Sequence, residues 1–317
     1  MIATVLIALA AGVASALMFA SIVSGALISL LLFNLAPLPL MVVGLGWGPL
    51  SATIGGIVAA TLLGSIFGLP YCIAFVLASA LPAWWLGHLA MLGRPLAAGT
   101  APAGEDVALE WYPVGRILLW VVVFATITTT ATLLTMGSDG PSIQGTMRSG
   151  WSHFLESMGI APSDRRLDAL VTIAPAAVTI ATVVTLTLNQ WLAAKIAATS
   201  GRLHRPWPDL KSTALPPMTL AALCAAIALC FAGGLVAIVA QIVTAGLMIT
   251  YAITGFAVLH TLTLALKNRA LWLGCAYFIV AVFTWAVLAM VLLGIADAIF
   301  GLRQRYLRGR PPPLPAS

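Results

Sequence analysis

Few side chains in this sequence can do chemistry, and most of those sit inside apolar runs. One run, residues 168–196, carries Thr172, Thr179, Thr182, Thr185, Asn189 and Gln190. At about 100° per residue these share one broad arc of a helix. A second run carries Gln241, Thr250, Tyr251, Thr254, His260 and Thr261. Hydroxyls and amides on such faces can bind a small molecule, and an imidazole can ligate a metal, carry a proton or touch a substrate. The plainer chemistry is structural. Threonine in a membrane helix bonds back to the carbonyl four residues earlier, and polar side chains tie helices together. The candidate substrate-facing set is Thr179, Thr182, Asn189, Gln190, Tyr251, Thr254 and His260, and packing outweighs binding on spacing alone.

No catalytic constellation accompanies these residues. His260 lacks a second ligand at metal-binding spacing. Cys72, Cys224, Cys230 and Cys275 lie in apolar stretches, form no CxxC and read as small buried hydrophobes. Walker A, HExxH, GxSxG and paired-carboxylate motifs are missing from the sequence. Glu105 and Asp106 stand in a loop with no aligned base, and Asp297 is placed for a local ion pair with Arg303. The expectation is a non-enzyme with no catalytic residue, no cofactor and no metal.

The elements that carry these side chains must be membrane helices. Of 317 residues, 61% are hydrophobic and 8% charged, against about 25% charged in a soluble domain. The mean hydropathy is +1.07. Arg94 is the first charged side chain, with only His88 titratable before it. Runs of about 20 apolar residues cross a bilayer. They place spans near 2–22, 24–46, 49–68, 70–92, 114–136, 168–196, 217–240, 244–266 and 271–299, eight or nine in all. The first is read as a retained span, because a basic n-region is lacking. The second contains NLAPLPL and must be broken at Pro37 and Pro39. The fold class is an all-α polytopic helix bundle in a single transmembrane domain, 1–302, followed by a basic, Pro-rich tail, 303–317.

The loops bear on topology. Residues 93–113 end in EWYPVGR, whose Trp111 and Tyr112 suit a membrane interface. Within 137–167, Met147, Trp151, Phe154, Leu155 and Met158 recur at helical spacing and predict an amphipathic interfacial helix. The 195–216 loop, with Lys195, Arg202, Arg205 and Lys211, reads as cytoplasmic. Counting spans from it puts Lys267 and Arg269 on the same side and the arginines of the tail on the other. The positive-inside rule would place all three inside, so one cluster departs from it. The net charge of +6 is spread over loops and tail, which suits lipid headgroups and excludes a nucleic-acid footprint.

Small residues form two ridges at a spacing of four. One is Ala8, Gly12, Ala16 and Ala20. The other is Gly48, Ala52, Gly56, Ala60 and Gly64, reaching Gly68. Such ridges let helix backbones approach closely in lipid. Packing within the chain is the favoured reading, ahead of docking to another membrane subunit.

Residues 36–64, APLPLMVVGLGWGPLSATIGGIVAATLLG, resemble the N-terminal region of the YybS-like family of predicted multispanning bacterial membrane proteins. YAITGFAVLHTLT at 251–263, GIADAIFGLRQR at 294–305 and EWYPVGR extend the resemblance in scattered blocks. That family has no characterised function. The first 90 residues are also similar to the substrate-binding S-components of energy-coupling-factor vitamin transporters. These have an Ala-rich first helix, a Pro-containing loop and a Gly-Pro helix start. The resemblance implies that Ala8, Gly12, Ala16 and Ala20 dock a coupling subunit. An S-component has six spans, whereas this chain has more and carries no vitamin-binding signature. The reading that follows is a non-enzymatic, multi-pass protein of the bacterial inner membrane that binds a small molecule as a transporter component. The alternative is a membrane scaffold for envelope or division proteins with no small-molecule ligand.

Overall fold

The computed structural model describes residues 2–95, 109–208 and 213–308. Glu105, Asp106, Lys211 and the Pro-rich end of the tail fall outside them. The chain is an all-α bundle. Its helices are α1 (Ile2–Ala20), α2 (Leu27–Asn34), α3 (Leu38–Trp47), α4 (Pro49–Phe67), α5 (Leu69–Phe75), α6 (Leu81–Ala90) and α7 (Val114–Leu134). There follow α8 (Gly140–Ser157), α9 (Asp164–Thr199), α10 (Met218–Leu229), α11 (Gly234–Leu262), α12 (Arg269–Val282), α13 (Val287–Phe300) and α14 (Leu302–Arg308). Two three-residue strands, β1 (Gly93–Pro95) and β2 (Leu109–Trp111), pair antiparallel, Arg94 opposite Glu110.

Among the described residues, seven helices are long and apolar enough to cross a membrane, or eight if the bent pair Thr284–Phe300 and Leu302–Arg308 counts as one. Their outward faces are apolar too: Leu17, Ile57, Ile66 and Leu188 are exposed. Apolar surface on both faces of a helix is the signature of burial in a bundle and in lipid together. The protein is a multi-pass integral membrane protein.

Prolines set the internal breaks. The second span separates into α2 and α3 at Leu35–Pro37, as the two prolines require. Residues 76–80 between α5 and α6 form a π-helical segment just before Pro82. Proline has no N–H for the carbonyl four residues back, and the ladder is rewound at that point.

The late spans depart from the sequence expectation. The expected spans 217–240 and 244–266 are instead a short α10 and one 29-residue α11, divided at Cys230–Gly233. Gly233, with φ +79°, is the N-cap that starts α11 afresh after that break. The expected span 271–299 is two helices separated at Phe283–Ala286. Arg269 Nη2 donates to the His260 carbonyl at 3.4 Å, so α12 begins at the C-terminal end of α11. Met290 lies against Gly255, and Gly294 against Tyr251, so α13 starts near that same end and runs antiparallel to α11. Thus α12 leaves and returns without crossing. The start of the tail lies toward the Gly234 end of α11, opposite Lys267 and Arg269. Arg303 there is buried against Asp297.

The main core is an apolar cluster joining α1, α3, α4, α6, α7, α9 and α11, with Leu40, Met41, Phe75, Leu86, Val183 and Tyr251 fully enclosed, and a smaller cluster of Leu133, Ile143, Ile238 and Ile242 packs α8 against α7 and α11. Cys224 and Cys275 are exposed and Cys72 and Cys230 half-buried, all as free thiols. This corrects the reading of four buried cysteines: α10 and α12 turn theirs outward.

Candidate functional site

The small-residue ridges are occupied within the chain. Ala8, Gly12 and Ala16 are buried, and α1 lies directly on α4. A Cβ at Gly12 would fall on the Gly55 carbonyl, and one at Gly55 would sit 2.8 Å from the Ala8 carbonyl. Backbones this close exclude any side chain larger than hydrogen. The α4 residues that meet α1 are Gly55 and its neighbours, one position off the expected ridge. Ala52 instead faces Gly44 of α3, Gly56 faces Ala80, and Gly64 faces Cys72. Gly48 opens α4, while Ala20 and Ala60 are half-buried.

The polar residues divide among several places. Thr179 is buried between α9 and α7, donates to the Pro175 carbonyl at 2.8 Å and lies 3.3 Å from Thr129 Oγ1. Thr172 donates to the Asp168 carbonyl near the start of α9. On α11, Thr254 donates to the Tyr251 carbonyl at 2.8 Å, beside Gly294 of α13. Tyr251 is 1% exposed, and both residues serve the α11–α13 contact. His260 Nε2 meets the Tyr277 hydroxyl at 2.7 Å and joins α11 to α12. The two stripes therefore do not converge on one cavity.

One part of the α9 stripe does converge with the broken span. Asn189 Nδ2 donates to the Asn34 carbonyl at 2.8 Å and to the Thr185 carbonyl at 2.9 Å. Thr185 Oγ1 donates to Asn34 Oδ1 at 3.2 Å. The break at Leu35–Pro37 frees the last carbonyls of α2, and Asn189 answers one of them. Gln190 Nε2 donates to the Leu86 carbonyl of α6 at 3.4 Å. Asn34 did not figure among the sequence candidates. Its signal was present: an amide just before LAPLP, where a helix must end and leave carbonyls unpaired.

Beside this junction is a cavity of about 650 Å³ between α2, α5, α7 and α9. Asn34, Thr128, Thr132, Thr135, Thr182 and Thr185 give it polar walls, and Phe19, Phe33 and Leu77 apolar ones. The hydroxyl protons point into the protein. Thr128 donates to the Leu77 carbonyl, Thr132 to Thr128, Thr135 to Thr132 and Thr182 to Val178. Asn34 gives one N–H to the Leu30 carbonyl at 2.7 Å. The hydroxyl lone pairs stay available, so the walls offer acceptors to an occupant. Among the described residues, no charged side chain lines the cavity.

A second cavity, about 570 Å³, lies beneath α8, between α7 and α9. Met147, Trp151 and Phe154 of the amphipathic helix form its roof. Asp139 caps α8 by accepting from the Ser142 N–H at 2.8 Å, in a reciprocal capping box. Ser142 holds the Asp139 carboxyl below its usual pKa. Arg148 ties α8 to Asp164 and Asp168 at the start of α9, and these carboxylates raise its pKa.

Among the described residues no three His, Cys, Asp or Glu side chains are grouped to hold a metal ion. No family model, curated protein or solved structure matches the chain.

Proposed function

We propose that this protein is a non-enzymatic inner-membrane component that binds a small neutral molecule, in the manner of a transporter's substrate-binding subunit. The cavity at the Asn34 break carries this reading. Its size falls in the usual range of about 300–1,000 Å³ for small-molecule sites, and such sites set a few polar groups in apolar walls. Discontinuous membrane helices are also where transporters place their substrates. The exposed acceptors select a hydrogen-bond donor such as a hydroxyl or amide N–H. The lack of a charged wall disfavours an ion, whose burial without a partner is costly. The small-residue ridges leave this reading unaffected, because they hold the bundle together.

The test is ligand-dependent thermal stability of the purified full chain, screened against neutral polyols and amides and against organic acids and amines. A neutral donor should raise the melting temperature. Asn34→Leu combined with Thr185→Val should abolish that shift. Stabilisation by charged compounds alone, or a shift insensitive to both substitutions, contradicts the reading.

A further inference from the structure

The two cavities share a wall. Thr132 of α7 and Val178 of α9 line both the polar cavity at Asn34 and the apolar one beneath α8. The apolar cavity has three threonines, and each has its hydroxyl engaged. Thr146 donates to the Met136 carbonyl and Thr132 to Thr128, while Thr129 meets Thr179. What it offers an occupant is Leu133, Met136, Met147, Trp151, Phe154 and Pro175. Half of its lining residues, Thr132, Met136, Thr146, Gly150, Phe154 and Val178, are exposed, so the chamber is open to the outside of the bundle. Met136, Phe154 and Val178 set apolar side chains at that opening, which suits the entry of an apolar ligand.

We propose that the two chambers form one site for a neutral single-chain amphiphile that enters from the bilayer. Its hydroxyl or amide head reaches the acceptors of Thr182, Thr185 and Asn34. Its hydrocarbon chain passes Thr132 and Val178 and lies beneath α8. The polar chamber has apolar walls as well, so a chain can thread it without stranding a buried polar group. Among the described residues neither chamber has a charged lining, which separates this ligand from a phospholipid or a fatty-acid anion. The proposal rests on the small-molecule reading of the Asn34 cavity and names its substrate class. The Asp139 capping box closes the first turn of α8, and the Arg148 bridges to Asp164 and Asp168 tie its middle to the start of α9.

The probe is hexadecanol bearing a diazirine in its chain, photolysed with the full chain in phosphatidylcholine vesicles and mapped by mass spectrometry. Labelling should saturate, fall on residues 147–154, and be competed by plain hexadecanol. Ionised hexadecanoate should compete about tenfold less well, since its charge would be buried unpaired. A Cβ at Gly150 meets nothing within 4 Å, so Gly150→Leu fills the chamber without disturbing the fold. It should lower labelling about tenfold by overfilling while the melting temperature holds. Thr132→Leu, at the shared wall, should do the same and guards against an effect peculiar to α8. Equal labelling by a diazirine phosphatidylcholine, insensitive to Gly150→Leu, means bulk lipid only and overturns the proposal. If a water-soluble neutral donor stabilises the protein through Asn34 while hexadecanol does not label α8, the joint site fails and the small-molecule reading survives. If neither acts, both fail.

Discussion

Asn189 donates its amide to the main-chain carbonyl of Asn34 at 2.8 Å, across 155 positions of sequence. This bond fastens the middle of α9 to the point where the second span breaks. A broken membrane helix exposes carbonyls that lipid cannot satisfy, and only protein or water can answer them. The cavity at Asn34 lies beside this junction.

Asn189→Leu should therefore destabilise the protein by about 1–3 kcal/mol, the cost of a buried acceptor left unpaired. Chemical or thermal unfolding in mild detergent measures it. Asn189→Asp, which cannot donate when ionised, should do no better. A stability change within error would mean that water satisfies the Asn34 carbonyl.

The α1–α4 contact predicts a sharp contrast among glycines. Gly12→Ala places a methyl on the Gly55 carbonyl and should cost about 1–3 kcal/mol by overpacking. Gly56→Ala meets only the Ala80 methyl at 3.5 Å and should be neutral or slightly stabilising, because alanine is the better helix former. Melting temperatures of the chain purified alone decide this. Equal tolerance at both positions would mean that α1 and α4 are not in contact.

Asp297 and Arg303 form a buried pair across the α13–α14 turn. Asp297 accepts from the Arg303 N–H at 2.9 Å and from its Nε at 2.8 Å, and Gly301 between them has φ +62°. Removing one buried partner strands the other charge and typically costs about 3–5 kcal/mol. Asp297→Asn and Arg303→Met should each destabilise by that order, and the double variant should recover much of the loss. The double-mutant cycle in detergent is the measurement. Additive losses would show that the two side chains are uncoupled.

The α8 cap should respond to acid. Asp139 has its folded pKa lowered below the ordinary 3.8 by the Ser142 bonds. A lowered folded pKa contributes stability above the unfolded value, and that contribution is lost as pH falls through the folded value. Hydrogen exchange of the first-turn amides of α8, corrected for intrinsic rate, should accelerate below the normal carboxylate range. Asp139→Ala should remove this pH dependence and leave exchange fast throughout.

Much of the architecture was legible because apolar length is a direct physical requirement for crossing lipid. The proline breaks at Pro37 and Pro39 were equally direct. The late boundaries were harder. Around Cys230–Gly233 and Phe283–Ala286 the composition stays apolar, and hydropathy cannot distinguish a helix that ends from one that continues. The Gly233–Gly234 pair was the one local mark of the first break. The site was legible only in part. Thr182 and Thr185 stood out by type and spacing, but their meeting with Asn34 depends on how α2 and α9 pack. Tyr251 and Thr254 stood out for the same reason, and the facing Gly255 and Gly294 turn that region into a close helix contact.

The most direct test of a neutral ligand at the Asn34 break is native mass spectrometry of the full chain extracted from its own membrane in mild detergent. The account predicts a retained non-covalent adduct with no ionisable group, released on activation. It predicts that Ala131→Phe, which fills the cavity, removes the adduct and leaves the protein folded. A chain that carries no adduct and gains none with neutral donors would contradict it, as would an adduct unchanged by Ala131→Phe.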